Sequence, residues 1–445
     1  MSSQMHRGQC MLGYFDIALR SLRRNLVLTG LMVIAIALGI GAAMTTLTTF
    51  YVLSGDPIPA KSHRLFYPQL DPATMQGFKQ DGEPAAQMTR YDAQALLRDK
   101  RADRQAAMSG GTINILPDGH ATKSLRVQAR YTSADFFAMF DAPMLAGRSW
   151  NADDDQAHAR VAVIGRDLSE KLFGGSESIG RTFRTPQGMF RVVGVLDEWS
   201  LNPRFYDLGD RRFSGTEQVF LPLSTSIDLR LDTEGTMDCW GTATKDAEGK
   251  RAMSAPCAWL QYWVELDAPE KVAGYRQYLD DYAVQQHQAG RYERPANTRL
   301  RNVMQWLDYN HVVPSDVRIQ TWLAFGFLLV CLVNTAALLM AKFTRRATEI
   351  GIHRALGATR IEIFKQCLAE ASFIGIAGGV LGIAFATVGL WLVRQQPDDY
   401  ARLAQFSLPM LVLTFVLSQI ASLLAGLLPA WRMTQVEPAL QMKVQ

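Results

Sequence analysis

Four long runs without a charged residue constrain this chain more than any other feature of its sequence. They cover residues 25–55, 319–341, 371–393 and 403–431, and none of them contains Asp, Glu, Lys or Arg. Each run is longer than the roughly 20 apolar residues that a helix needs to cross the hydrocarbon core of a bilayer. A helix of that length in a soluble protein would normally carry a charged face. The runs therefore predict four membrane-spanning helices.

Basic residues are unevenly distributed among the segments that flank these runs. Segment 1–24 carries four arginines and one aspartate, segment 342–370 carries six basic and three acidic residues, and the tail 432–445 carries two basic and one acidic. Together they exceed the overall net charge of +4, so block 56–318 is acidic, while segment 394–402 is neutral. Short loops rich in Lys and Arg stay in the cytoplasm. Both termini and segment 342–370 are therefore expected to be cytoplasmic, with block 56–318 outside.

The polar block 56–318 is long enough to bury a core of its own. Apolar and polar residues alternate over 125–131 and 260–266, which predicts half-buried strands, and Pro269 then opens a segment with helical spacing. Between them, apolar segments punctuated by Gly and Pro predict a separate, mostly β lobe. The fold class is therefore a four-helix α-helical membrane protein with an α+β extracytoplasmic domain, in two lobes, inserted between the first two spans.

The first run could in principle belong to a cleaved signal peptide. Its apolar stretch is longer than a typical signal-peptide core, and no clear A-x-A cleavage site follows it. A retained signal anchor is the favoured interpretation, with cleavage as the alternative.

Five cysteines divide between the predicted compartments. Cys239 and Cys257 lie in the outer block, where oxidation is allowed, so they either form a disulfide or remain free buried thiols. Cys10, Cys331 and Cys367 lie in cytoplasmic or membrane segments and are interpreted as apolar residues.

Segment 342–370 contains a sharp break between two helical patterns. Apolar residues recur at helical spacing before the Gly357-Ala358 pair, and Thr359 followed by Glu362 forms a capping-box pattern that begins a new helix. The second span is therefore expected to continue beyond the membrane, break, and return as the third span through an amphipathic helix. Such a helix could lie on the membrane surface, but a turn centred on glycine favours a knob that docks into a partner protein.

The third run contains closely spaced glycines that form two small-xxx-small pairs. Small residues allow helices to approach closely within lipid. We expect four of them to pack helices together: Gly375, Gly378, Gly379 and Gly382.

Several kinds of chemistry have no sequence support. The chain contains neither the G-x-x-x-x-G-K-[ST] phosphate-binding loop nor a G-x-S-x-G elbow, and its seven histidines lack metal-site spacing. The runs hold no ionisable residue of the kind that carries ions or protons. No catalytic, metal-binding or cofactor-binding residue is predicted, and the basic balance reflects membrane topology, not nucleic-acid binding. Energy for transport would have to come from another subunit.

The stretch EIGIHRALGATRIEIFKQCLAEA, which begins at Glu349, closely resembles the signature of MacB/FtsX-type ABC transporter permeases. ALRSLRRNLVLTGLMVIAIALGIGA is similar to the family's N-terminal amphipathic helix and the first span that follows it, so 1–24 is expected to form a cytoplasmic amphipathic helix. GLLPAWRMTQVEPALQMK is similar to the end of the family's fourth span and its cytoplasmic tail, and SADFFAMFDAPMLAGRSW to part of its outer core domain. MacB itself carries a fused N-terminal ATPase, whereas the resemblance here is to the permease part, so the ATPase is expected on a separate chain. The signature positions that match are Glu349, Ile350, Gly351, Ala355, Leu356, Gly357, Ala358, Glu370 and Ala371.

The resemblance implies a non-catalytic permease subunit in the inner (plasma) membrane. It implies pairing with a second permease chain, identical or paralogous, and binding to a separate ABC ATPase that holds ATP and Mg; it also admits a periplasmic adaptor protein. ATP-driven movement would pass through the cytoplasmic loop to the outer domain, which moves substrate by mechanotransmission. We expect the ATPase interface to contain Glu349, Gly351, Arg354, Leu356, Gly357, Ala358 and Ile361.

Two other functions remain open at this stage. One is a non-transporting, FtsX-like or sensory permease that regulates a cell-wall hydrolase or detects an antimicrobial. The other is a membrane-anchored enzyme or sensor without an ATPase, which leaves the signature loop unexplained. The large block 56–318 favours export, because the division-regulating relatives have a much smaller outer domain.

Overall fold

The chain forms two compact units in a computed structural model. The first, called here the helical unit, combines Met1–Ser54 with Val313–Gln445, and the second, called the inserted domain, is Gly55–Val312. The predicted N-terminal helix 1–24, Cys10 and most of the predicted loop 394–402 and tail 432–445 lie outside the described residues. The residues that the structure describes are 26–116, 124–174, 177–209, 212–213, 215–241, 249–395 and 408–435.

Regular elements account for most of the described residues. The helices are α1 (Leu26–Ser54), α2 (Arg90–Asp99), α3 (Phe136–Met139), α4 (Ala152–Gln156), α5 (Arg166–Phe173), α6 (Leu223–Asp228), α7 (Pro269–Gln288), α8 (Val303–Tyr309), α9 (Ser315–Arg345), α10 (Ala347–Ala355), α11 (Arg360–Arg394) and α12 (Leu408–Thr434). The strands are β1 (Leu65–Gln69), β2 (Met88–Thr89), β3 (Arg104–Ile115), β4 (Leu125–Thr132), β5 (Met144–Gly147), β6 (Val161–Gly165), β7 (Thr182–Thr185), β8 (Gly188–Leu196), β9 (Val219–Pro222), β10 (Thr233–Glu234), β11 (Asp238–Cys239), β12 (Cys257–Glu265) and β13 (Arg299–Asn302).

The four predicted spans are the helices α1, α9, α11 and α12, each long and apolar enough to cross a membrane. Many of their large apolar side chains are exposed, as lipid-facing residues would be. Helices α9 and α11 extend beyond the uncharged runs 319–341 and 371–393 at both ends, because backbone hydrogen bonding continues after the apolar residues stop. Within the unit, α1 and α12 each pack against α9 and α11.

The four glycines predicted to pack helices divide between two neighbours. Gly375 and Gly379 face α12, whereas Gly378 and Gly382 face α1. A Cβ atom added to Gly378 would lie 2.8 Å from Cγ2 of Ile36, closer than real Cβ atoms come to a neighbour. The two small-xxx-small pairs therefore bring α11 into close contact with a different helix on each side.

We expect Gly378→Leu to lower the stability of the helical unit by about 1 to 3 kcal/mol, because the added side chain has to displace α1 from α11. The matched control is Gly326→Leu on α9, where an added Cβ would meet nothing within 4 Å. Thermal unfolding of the detergent-solubilised protein measures both variants. Equal effects of the two substitutions would contradict a packing role for Gly378.

One sheet runs through the inserted domain. The thirteen strands described form it, with the central order β13-β1-β12-β3-β4-β9-β6-β8-β5. Strands β4 and β9 pair in parallel from Ala129–Val219 to Thr132–Pro222 and join the part that contains β5 to β8 to the rest. The two lobes expected from the sequence are therefore two halves of one sheet, and their apolar side chains form a common core.

Strand β12 was expected to be half-buried, but all nine of its residues are buried. On one side of the sheet, the Trp263 ring packs against Tyr67 and Phe205, with ring centroids 5.1 and 5.0 Å away. On the other side, the hydroxyl of Tyr262 donates a hydrogen bond to Gln105 at 3.1 Å. The aromatic layer on the Trp263 side covers the face of β12 that was expected to be exposed to solvent.

Cys239 and Cys257 form a disulfide that joins β11 to β12. Closing a loop of this length stabilises a domain by about 3 kcal/mol in the chain-entropy description. Cys331 and Cys367 are free and buried in the helical unit, in agreement with their interpretation as apolar residues.

Arg130 of β4 is completely enclosed in the inserted domain and is held by carboxylates. Its Nε donates to Glu217 at 2.9 Å, and its Nη2 donates to Asp207. Arg204 lies 3.2 Å from the same Glu217 carboxylate, and Tyr206 donates to it. Burial opposes ionisation of Glu217, but the charges of Arg130 and Arg204 outweigh it and hold the pKa of Glu217 below its usual value.

We expect Glu217→Gln to destabilise the inserted domain by about 3 to 5 kcal/mol, because it leaves a buried arginine without its main counter-charge. Unfolding followed by tryptophan fluorescence measures the effect, since Trp150 and Trp263 are buried in this domain. Glu198→Gln, on an exposed carboxylate paired with Arg166, is the matched control and should change stability little.

The Glu217→Gln substitution should also alter the pH dependence of unfolding. A carboxylate with a lowered pKa in the folded state adds stability above its unfolded pKa, near 4.3, and that stability is lost as the pH falls. The unsubstituted protein should therefore lose more stability than Glu217→Gln between about pH 5 and 3. Parallel acid profiles would show that Glu217 is not held ionised by the arginines.

Candidate functional site

A helix, a tight turn and a second helix connect the second and third spans. Helix α9 ends at Arg345, the short helix α10 follows, and α11 begins at Arg360. Gly357 lies in the turn with φ of 103°, a conformation that side-chain-bearing residues rarely adopt. Thr359 and Glu362 form the predicted capping box at the start of α11, with each side chain bonded to the other's backbone N–H. The break and the new helix predicted from the sequence are both confirmed.

Three large apolar side chains at this turn and in the helices beside it are exposed. Leu356 is 81% exposed, Ile361 is 65% exposed and Ile352 is 54% exposed. Three large apolar residues within ten positions of a charged loop form an exposed patch of the kind that marks an interaction surface. This group, Ile352, Leu356 and Ile361, is called the apolar tip below.

The seven residues predicted at the ATPase interface all lie between the start of α10 and the first turn of α11. Their exposure differs, because α10 has one side turned toward the helical unit. Leu356, Gly357 and Ile361 are exposed, whereas Glu349, Gly351, Arg354 and Ala358 are partly buried. The Glu349 carboxylate is bound by Nε of Arg346 at 2.9 Å, so its structural neighbour is an arginine of the same chain.

A cluster of four charged side chains links α9, α10 and α11. Lys342 of α9 and Glu370 of α11 are 0% and 2% exposed, and their Nζ and Oε2 atoms are 3.1 Å apart. The other oxygen of Glu370 accepts a hydrogen bond from Nη1 of Arg346 at 2.6 Å. Arg346 in turn binds Glu349 of α10. This group, Lys342, Arg346, Glu349 and Glu370, is called the charge cluster below.

Helix polarity reinforces the charge cluster. Lys342 and Arg346 lie at the carboxyl end of α9, and Glu349 lies in the first turn of α10. Cations are favoured at helix carboxyl ends and anions at amino ends. Two cations and two carboxylates therefore neutralise each other at the junction of three helices.

No role is predicted from the sequence for Lys342 or Arg346, and Glu370 is predicted only as a position that matches the family signature. One signal could have identified the pair: Lys342 directly follows the second uncharged run, and Glu370 directly precedes the third. Helices that enter and leave a membrane side by side bring such flanking positions together.

Within the described ranges, no group of three or more His, Cys, Asp or Glu side chains is arranged to hold a metal ion. The region around the turn therefore combines an exposed apolar surface with a neutralised charge cluster in which Lys342 and Glu370 are buried.

Comparison with known protein families finds two matches. The MacB-like periplasmic core domain matches residues 29–282, and the FtsX-like permease C-terminal domain matches residues 322–438. Among solved structures, the periplasmic region of MacB from Actinobacillus actinomycetemcomitans aligns with a TM-score of 0.35 and 15% identity, covering 55% of this chain and 92% of that one. The extracellular domain of the noncanonic ABC-type transporter YknZ from Gram-positive bacteria aligns with a TM-score of 0.34 and 12% identity, covering 54% and 100%.

Curated relatives match along more of the chain. The macrolide export ATP-binding/permease protein MacB of Azoarcus sp. (strain BH72) is 24% identical over 95% of this chain and 58% of its own length. The pyoverdine export ATP-binding/permease protein PvdT of Pseudomonas aeruginosa is 26% identical over 69% of this chain and 40% of its own length. The chain thus spans less than two thirds of the length of these relatives.

The core-domain match covers more than half of the chain, and the permease match covers the three later helices with the turn between α10 and α11. Four apolar helices and a large α/β domain between the first two agree with both matches. This protein therefore belongs to the family of ABC transporter permeases that combine a MacB-like periplasmic core domain with an FtsX-like permease domain.

Proposed function

We propose that this chain is the membrane-spanning subunit of an ABC exporter and is driven by ATP hydrolysis on a separate ATPase subunit. The observation that carries the proposal is the apolar tip. Its residue Leu356, in the middle of the basic segment 342–370, is 81% exposed. An exposed leucine beside a glycine-dependent turn, with Ile352 and Ile361 exposed nearby, forms an apolar patch of the kind that contacts a partner protein. The ATPase holds ATP and Mg, and this chain contributes the docking surface.

Helix α11 provides the route from the docking surface to the membrane. It is continuous from Arg360 to Arg394, a length of about 50 Å at 1.5 Å per residue. Movement of the turn would therefore displace the third span directly, without an intervening flexible joint. The capping box at Thr359 keeps the first turn of this helix formed, so the force acts on an ordered helix end.

Export is the direction of transport that the relatives support, since both are named as export proteins. In this proposal the inserted domain is extracytoplasmic, moves substrate outside the membrane, and works in a pair of permease chains. A periplasmic adaptor protein would extend the route. Both termini and the loop that carries the apolar tip face the cytoplasm, where the ATPase is found.

We expect Leu356→Asp to abolish co-purification of the ATPase and permease-stimulated ATP hydrolysis, because docking would bury an unpaired carboxylate. Insertion and folding should be unchanged, since the exposed Leu356 side chain supports no internal packing. Pull-down from gently solubilised membranes and ATPase assays measure both effects.

The matched control is Thr348→Asp, which adds the same charge to an exposed position in the first turn of α10. It should leave association intact. Full ATPase association and stimulation by Leu356→Asp would mean that the apolar tip lies on the membrane surface, and the proposed coupling would be wrong.

The proposed orientation is tested by cysteine labelling in a background that lacks Cys10, Cys331 and Cys367. Glu270→Cys, on an exposed position of α7, should react with an impermeant maleimide added to spheroplasts. Lys365→Cys, exposed near the start of α11, should react only after permeabilisation, because basic loops remain in the cytoplasm. Reaction of both cysteines from the same side would contradict the orientation.

A further inference from the structure

We propose that Glu370 is a positioning residue that sets the angle of α10, and thereby the direction in which the apolar tip faces its partner. The functional consequence rests on the proposed docking of an ATPase, whereas the structural part concerns this chain alone. Three features support this role: the burial of Lys342 and Glu370, the contacts within the charge cluster, and the confinement of apolar packing on α10 to its first turn.

Burying the Lys342–Glu370 pair costs desolvation free energy, so its presence calls for an explanation other than stability. Lys342 and Glu370 are 0% and 2% exposed, and removing two charges from water typically costs as much as their mutual attraction returns. Well-packed apolar residues of similar size would hold α9 against α11 equally well. An ion pair differs from such residues in requiring one specific arrangement of its partners.

The connectivity of the cluster provides that arrangement. Glu370 on α11 uses one oxygen for Lys342 of α9 and the other for Arg346. Arg346 is the single residue between α9 and α10, and it also binds Glu349 of α10. The residue at which the chain bends is therefore itself anchored to the third span by its side chain.

Apart from the charge cluster, the apolar packing of helix α10 lies in its first turn. Ala347 is the only one of its nine residues that is buried, and Ile350, partly buried, packs against the core of the helical unit. Its far end is a turn centred on Gly357 with open space around it. Loss of the Glu370 contacts would therefore free α10 to pivot about Arg346 and would disperse the orientation of Leu356.

The structural test measures the distance between spin labels on Ile352→Cys of α10 and Val380→Cys of α11, both exposed positions. The labelled chain lacks Cys10, Cys331 and Cys367 and is diluted with unlabelled chain, so that only distances within one molecule are recorded. The parent should give one narrow distribution. Glu370→Gln should broaden it, because a neutral amide does not hold two cations.

The matched control is Glu362→Gln, the same substitution on an exposed residue at the start of α11. Glutamine can replace glutamate in a capping box, so the distribution should stay narrow. If Glu370→Gln does not fold, because Lys342 is left buried and unpaired, the double variant Lys342→Met/Glu370→Gln decides. It removes both charges of the buried pair and should fold with a broad distribution. A narrow distribution in the folded variant would overturn the proposal.

The functional test compares ATPase association with ATPase stimulation. Because the apolar tip is unchanged, Glu370→Gln should still co-purify with the ATPase, but stimulated hydrolysis should fall at least about fivefold. Retention of full stimulation would overturn the positioning role. If the parent chain binds no ATPase, the proposed function fails, and the distance measurement still decides whether Glu370 orients α10.

Discussion

The hydrocarbon core of a membrane accepts no unpaired charge, and the helical unit is organised around that constraint. The four runs contain no Asp, Glu, Lys or Arg, and charges begin where the runs end. Two of these flanking charges, Lys342 and Glu370, are nevertheless buried, and they are buried against each other. Their pairing satisfies the constraint and at the same time links the second span to the third. Among the described residues of the helical unit, Lys342 and Glu370 form a fully buried ion pair, and Arg346 connects that pair to α10.

Within lipid, the hydrophobic effect does not favour one helix neighbour over another, so the fit between helix surfaces decides which helices pack together. Glycines on two sides of α11 let α1 and α12 approach its backbone closely. Helix α11 therefore approaches two neighbouring helices closely, and it is also the helix that begins at the apolar tip. That combination suits a helix proposed to carry force, because close packing leaves little room for the movement to be absorbed.

The inserted domain also contains a buried charge that is neutralised by residues distant in the sequence. Arg130 lies inside the sheet and is neutralised by Glu217 and Asp207, residues that follow it by many positions in the chain. The parallel pairing of β4 with β9 brings Arg130 close to Glu217. That pairing also joins the two lobes expected from the sequence, and apolar residues of both lobes lie in one core.

Local patterns determined much of this protein in advance. The uncharged runs, the glycine-dependent turn and the capping box at Thr359 depend on residues within a few positions of one another, and all were predictable from the sequence. The complete burial of β12 and the partners of Lys342, Arg346 and Arg130 were not. They depend on contacts between residues far apart in the chain. The sequence around a charged residue does not show whether that residue will be exposed to water or buried against an opposite charge on another helix. Only the packing of the helices and the order of the strands decided which charges meet, because pairing depends on distance in space.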